Sequence, residues 1–290
     1  MKVIVTGGRG LVGARFMESY GSEHELIQLG ATHETRVDIT DLPALKQALD
    51  AAPRADAMIH LAAYTNVNGA FEQTGDKNGA AWQVNVVGTK NIAQVCAERG
   101  MYLIHLSTAF VFDGEKTGAY TEDDTPHPIE WYGQTKYESE KMVTTSGAKA
   151  VILRIDQPFS FRPSPKVDTL WRVINGLRAG TLFPQFTEHH FGPTVIEELV
   201  KVMDFCLRAQ PTGIYHASSG ESWSDYDFAC AVNEILHLGA SVKPGDLEAY
   251  LRTSARPYQR NTALDVQRLR EILDFKFGNV RDAIAKVQLG

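Results

Sequence analysis

The first half of the chain alternates short apolar runs with amphipathic stretches. Residues 2–6 (KVIVT) form a β-branched run that reads as a buried strand, followed by a glycine loop and an amphipathic stretch through Tyr20. Further strands are predicted at 25–29, 57–61, 101–106 and 150–154. Helices are predicted at 41–49, with Thr40 or Asp41 as cap and Pro43 in the first turn, and at 80–99, ended by Gly100. Continuous apolar strands alternating with helices predict an α/β fold, a doubly wound parallel sheet covered on both faces. Such sheets bind ligands at the carboxyl ends of their strands, so the residues after Gly7, Leu61 and Leu106 are expected to share one crevice.

Two motifs give that crevice a chemistry. Glycines at Gly7, Gly10 and Gly13 suit a tight turn, backbone approach to a pyrophosphate and close helix packing, and the helix N-terminus adds a partial positive charge. Tyr132 and Lys136 stand four residues apart, hence on one face of a predicted helix. An ammonium beside a phenol is expected to lower its pKa toward the working range of an acid–base catalyst. Ser107 and Thr108 add two hydroxyls, and Asp38 a carboxylate placed to meet an adenine amino group. For these three, helix or turn capping is the alternative role.

The second half is less regular. Helical patterns at 171–177 and 224–236, a segment at 194–207 that returns toward the sheet, and a short strand at 213–216 build a smaller C-terminal part. The expected division is a dinucleotide-binding domain over 1–155, with returning segments at about 190–215, and a discontinuous substrate part over 156–290 that packs against it as one body. The 290 residues are 43% hydrophobic and 22% charged with net charge -6. That balance, without a Lys/Arg run, argues against a nucleic-acid surface, and no apolar run is long enough to span a bilayer. Without a signal-peptide pattern, and with Cys96, Cys206 and Cys230 in apolar helical patterns, a cytoplasmic setting with reduced thiols is expected. His189-His190 is adjacent rather than at ligand spacing and reads as a loop feature; no metal is expected.

Taken together, GGRGLVG (7–13), LAAYTNV (61–67), NVVGT (85–89), STAFVFDG (107–114), YGQTK (132–136), FGPT (191–194), GIYHASS (213–219) and RPYQRNTALD (256–265) resemble an extended short-chain dehydrogenase/reductase. Within that family the chain is most similar to the dTDP-4-dehydrorhamnose reductases. The resemblance implies a Rossmann-type sheet with a C-terminal α/β substrate domain, and a monomer or homodimer that reduces the 4-keto group of a nucleotide-activated deoxysugar. It implies Tyr132 as general acid, Lys136 as its partner and holder of the nicotinamide ribose, and Thr108 as the group that polarises the carbonyl. Gly7, Arg9, Gly10, Leu11 and Val12 would meet the phosphates, Asp38 and Ile39 the adenine, and Leu61, Ala62, Ala63 and Tyr64 the nicotinamide half. Asn85 would brace the active-site helix. On the substrate side stand Thr108, Ala109, Gln157 and Arg256; Arg256 and Arg260 read equally as diphosphate contacts or structural ion pairs.

Three departures fall on what the resemblance marks as the sugar side. Ala109 replaces an acidic residue, Gln157-Pro158-Phe159 stands where a tryptophan is usual, and Asn68-Gly69-Ala70 replaces a charged pair. The second strand ends in Leu29-Gly30-Ala31 without an acid, while Arg9, His33 and Arg36 supply cations, so NADPH is preferred and NADH possible. Two other readings share these motifs. One is a sugar-nucleotide 4-epimerase with retained NAD, the other a non-catalytic NADP-binding subunit like the regulatory β subunit of methionine adenosyltransferase.

Overall fold

The computed structural model describes residues 1–29, 37–164 and 166–289. Six parallel strands make the central sheet: β1 (Lys2–Thr6), β2 (Glu25–Leu29), β3 (Ala57–His60), β4 (Tyr102–Thr108), β5 (Ala150–Ile155) and a sixth, Gly213–His216. In the sheet β2 lies at one edge, followed by β1, β3, β4, β5 and the sixth strand. The order reverses between β1 and β3, which opens a crevice above their carboxyl ends. β1 and β3 are almost wholly buried, as expected of strands covered on both faces.

Local sequence explains the helices that cover the sheet. Helix α1 (Leu11–Tyr20) leaves the glycine loop with Gly10 at its N-cap and no side-chain cap. Asp41, not Thr40, caps α2 (Leu42–Ala51), accepting from Ala44 N at 3.0 Å. The helix expected over 80–99 is interrupted by a π-helical segment, Gln83–Gly88, and Gly100 ends it in the left-handed conformation. One apolar layer joins Val3, Val5 and Ile104 to Phe16 and to Leu199 and Met203 of helix Ile196–Ala209. The opposite layer joins Ile4, Met58 and Leu103 to Leu45, Ile92 and Cys96. A third cluster, around Phe159, Phe191 and Phe228, lies in the second half of the chain. Among the described residues no helix is long and apolar enough to cross a membrane.

The sequence placed Ser107 and Thr108 in a loop, but β4 runs through Thr108 because its pairing with β5 continues to Thr108 opposite Ile155. His190 is likewise in a short strand, opposite Ser224, and the buried His189 pairs with Asp225 at 2.7 Å. His33, Arg36 and Pro165 lie outside the described residues.

Under the crevice a buried ion pair joins strand to helix. Arg154, on β5, donates from Nε and Nη2 to the two oxygens of Glu140 at 2.8 and 2.7 Å. Both side chains are about 2% exposed. Ser107 donates to the same carboxylate at 2.6 Å, and the ring of Phe112 lies 5.1 Å from the guanidinium. Removing one member of such a pair strands the other charge in the core. Glu140→Gln is therefore expected to cost about 3–5 kcal/mol in urea unfolding, and the double variant Arg154→Met/Glu140→Leu to recover most of that loss. Equal losses in the single and double variants would show that the charge pairing is not what holds this layer.

Candidate active site

The crevice has a volume of about 1010 Å³ and is lined by the glycine loop, the ends of β3, β4 and β5, and the Tyr132–Lys136 face of helix Trp131–Thr144. Backbone dominates its nucleotide end. Gly7 has φ 70°, and a Cβ there would stand 2.6 Å from the carbonyl carbon of Leu61. A Cβ on Gly13 would stand 2.4 Å from the Gly7 oxygen. Loop, helix and β3 thus approach as closely as backbone allows, with the uncapped N–H groups of α1 facing the cavity. Arg9, Gly10, Leu11, Val12, Leu61, Ala62 and Ala63 all line it, and Arg9 is exposed.

Other residues expected at this end lie outside the lining. Asp38 spends one carboxylate oxygen on Thr40, accepting from its N at 2.9 Å and its hydroxyl at 2.8 Å. Ile39 is buried against Gly88. Tyr64 is fixed through its backbone. Its N donates to Asn85 Oδ1 at 2.8 Å, while Asn85 Nδ2 donates to Tyr64 O at 3.1 Å and to Thr135 Oγ1 at 2.9 Å. Asn85 therefore ties the loop after β3 to the active-site helix, and the π-helical segment sets it at that point.

The reacting end is built on helix Trp131–Thr144. Glu130 caps it, accepting from the backbone N–H groups of Tyr132 and Gly133. Gly133 is required by sterics, since a Cβ there would stand 2.1 Å from the carbonyl oxygen of Phe110. Thr108 Oγ1 accepts from Phe110 N at 3.2 Å, and its hydroxyl acts on the Tyr132 phenol in the sense that favours the ionised form. The Ser107 hydroxyl is committed to Glu140, so Thr108 is the hydroxyl of this pair that is left for chemistry.

The electrostatics correct one expectation. Burial pushes the Tyr132 phenol above its ordinary value, and the Glu130 carboxylate adds to the rise. The Lys136 ammonium is not its counterweight, because Nζ donates to the carbonyl of Leu106 at 2.8 Å. Burial also moves Lys136 down to about 8, against the pull of Glu140. Beneath it His60 and His105 stack at 5.4 Å and stay neutral, His60 pushed down to about 3 first by burial and then by Lys136. Sequence reasoning missed these histidines; a polar residue inside each of two apolar strands was the available signal.

The substrate side differs from expectation. Ala109 is fully buried with Val111, Phe112 and Leu264, and Ala70 with Ala81 and Trp131, so these departures fill core rather than crevice. Arg256 lies outside the lining, its guanidinium 5.3 Å from the Tyr258 ring. Arg260 is paired with Glu248 and Glu115. Gln157 does line the cavity, beside Asp156.

Fold and site together define a dinucleotide-binding α/β protein of the Tyr/Lys type. The family model for the RmlD substrate binding domain matches residues 1–288, and the chain belongs to that family. It is 30% identical to a probable low-salt glycan biosynthesis reductase, Agl14, of Haloferax volcanii, over 99% of this chain and 97% of the relative. It is 28% identical to a dTDP-4-dehydrorhamnose reductase of Sinorhizobium fredii, over 99% and 96%. Methionine adenosyltransferase 2 subunit beta of Rattus norvegicus is 26% identical over 92% and 81%. A solved dTDP-4-dehydrorhamnose reductase from Bacillus anthracis, in complex with NADP, shares the fold at TM-score 0.88 and 23% identity, over 99% of this chain and 98% of that one.

Asp156 generates a pH prediction. Its carboxylate accepts from Thr262 Oγ1 at 2.7 Å and Gly192 N at 2.9 Å, with His189 nearby, yet burial raises it to about 7. A carboxyl raised in the fold contributes stability that is complete below its ordinary value of 3.8 and lost as pH rises through about 7. Asp156→Asn cannot ionise, so the wild-type Tm should fall relative to the variant between about pH 5 and pH 8. Parallel Tm curves across that range would refute the assignment.

Proposed function

We propose that the chain uses NADPH to reduce the 4-keto group of a nucleotide-activated deoxysugar. The observation that carries this reading is the convergence of Thr108 and Tyr132 on one cavity with the glycine loop and Lys136. Cofactor fit rests on the cradle itself. Any side chain at Gly7 or Gly13 would collide with backbone, and the uncapped N–H groups of α1 suit a pyrophosphate. NADPH, when bound, supplies the hydride.

The protein's own residues do the rest. Thr108 donates a hydrogen bond to the carbonyl oxygen and holds it against Tyr132. Tyr132, kept protonated by burial, gives its proton to that oxygen as charge develops there. Lys136, anchored on Leu106, would hold the nicotinamide ribose. Leu61, Ala62 and Ala63, which line the cavity at the end of β3, would hold the nicotinamide half. Arg9, exposed at the loop, meets the ribose 2′-phosphate.

The test is NADPH consumption with a panel of 4-keto sugar nucleotides, using Tyr132→Phe as control. Loss of a positioned acid should lower kcat by about 10²–10⁴-fold. If no sugar in the panel turns over faster with wild type than with Tyr132→Phe, the proposal fails. A 4-epimerase would convert its substrate without net NADPH consumption. A regulatory subunit like the methionine adenosyltransferase relative would be inert alone and recover a stoichiometric partner enzyme.

The cofactor assignment has its own measurement. Arg9→Ala should weaken NADPH binding by about 1–3 kcal/mol, the size of a charge-assisted hydrogen bond, and leave NADH nearly unchanged. Equal weakening of both cofactors would mean that Arg9 supports only the loop.

A further inference from the structure

Gln157 carries strain that its local structure does not explain. It has φ 37°, and the other non-glycine residues of positive φ among those described are Gln210 and His237. Gln210 caps a helix C-terminus, and His237 follows directly after another helix, places where a left-handed residue is ordinary. Gln157 instead follows β5, where a left-handed side chain is strained and persists only if its surroundings impose it. They do. Its carbonyl accepts from Thr194 N at 3.4 Å, and the next residue, Pro158, pairs with Thr194.

The side chain is fixed as firmly. Gln157 Oε1 accepts from Thr169 Oγ1 at 2.8 Å, and Thr169 opens helix Thr169–Ala179. That helix start is held by Asp168, which accepts from Trp171 N at 3.0 Å and Ser160 N at 2.9 Å. With Oε1 engaged, the two hydrogens of Nε2 have no acceptor among the described residues, while the residue lines the crevice. The neighbouring Asp156 is consumed by Gly192 and Thr262. An oriented amide donor thus stands where an aromatic wall was expected.

Its place in the sheet says what it faces. Thr108 pairs with Ile155, so Gln157 follows two residues beyond the partner of the residue that holds the reacting oxygen. It sits beside β4, on the side of the crevice away from the glycine loop on β1. A group there reaches a carbon adjacent to the carbonyl, and of the two neighbours of C4 in a 4-keto-6-deoxyhexose C5 carries the ring oxygen, which leaves C3 as the one with a hydroxyl.

We infer that Gln157 is a specificity-determining residue that donates a hydrogen bond to the sugar's 3-hydroxyl, so the substrate is a 4-keto sugar nucleotide with that hydroxyl free. This rests on the reading of the crevice as a nucleotide-sugar site. A site built to bond a hydroxyl rejects the analogue lacking it, because its own donor is then left unpaired.

The experiment crosses two substrates, a dTDP-4-keto-6-deoxyhexose and its 3-deoxy congener, with wild type, Gln157→Leu and Thr169→Val. Wild type should favour the 3-hydroxy sugar by about tenfold or more in kcat/KM. Gln157→Leu should reduce the preference to under about threefold by losing only the 3-hydroxy substrate, and Thr169→Val should fall between. NADPH affinity and Tm should stay at wild-type values in both variants, which separates the effect from misfolding. A preference that survives Gln157→Leu, while wild type turns over, overturns this inference and leaves the reductase reading standing. If wild type reduces neither sugar, the reductase reading falls. The inference is then judged by calorimetric titration of the two reduced sugar nucleotides with NADP⁺ present, where equal binding overturns it.

Discussion

The ion pair between Arg154 and Glu140 is the constraint on which the site depends. Helix Trp131–Thr144 must present Tyr132 and Lys136 to the crevice, and a helix resting on a sheet through apolar contacts alone can slide or rotate at small cost. A bidentate contact at 2.7–2.8 Å has a defined geometry, and Ser107 makes it three-pointed. Glu140 lies one turn beyond Lys136, so the clamp fixes the rotation of Tyr132 and Lys136 toward the crevice. Burying two charges brings little net stability, but a misplaced helix would leave both unpaired, which penalises every other arrangement. His216 on the sixth strand lies within 3.5 Å of the guanidinium and is held neutral, pushed down to about 3 by burial first and then by Arg154.

The clamp also explains how Tyr132 works. A lysine next to a phenol in sequence suggests a depressed phenol pKa, but the structure turns the ammonium toward the Leu106 carbonyl and surrounds the ring with low dielectric and the Glu130 carboxylate. That suits a reduction. The group must hold its proton until the carbonyl oxygen becomes basic, and a phenol kept protonated by burial meets that requirement. Lys136, moved down to about 8 by burial, lies near the stacked pair of neutral histidines.

Much of the frame was legible from the chain. Buried parallel strands leave continuous apolar runs, and a backbone cradle leaves glycines, because in both cases the requirement falls on each residue singly. What escaped were relations between distant residues. Nothing local says that Arg154 seeks Glu140, that His60 stacks on His105, or that Asp156 binds Thr262 across 106 positions. Ala109 and Ala70 looked like lost substrate contacts, yet each is packed among apolar side chains, where a charge would be costly. His33 and Arg36, the other cations expected near the ribose from the sequence, lie outside the described residues, which leaves Arg9 as the described cation of the glycine loop.

The two ends of the crevice are held by different means, and this governs how each can vary. At the nucleotide end a Cβ added at Gly7 or Gly13 would come within 2.4–2.6 Å of backbone, so those two positions have almost no freedom. At the sugar end the wall is made of side chains hung from β5 and steadied by the second half of the chain, through Thr194, Thr169 and Thr262. A change at position 157 alters what the wall presents without moving the cradle or the Tyr/Lys helix. The wall at position 157 can therefore vary within this architecture while the backbone cradle and the helix carrying Tyr132 and Lys136 stay in place.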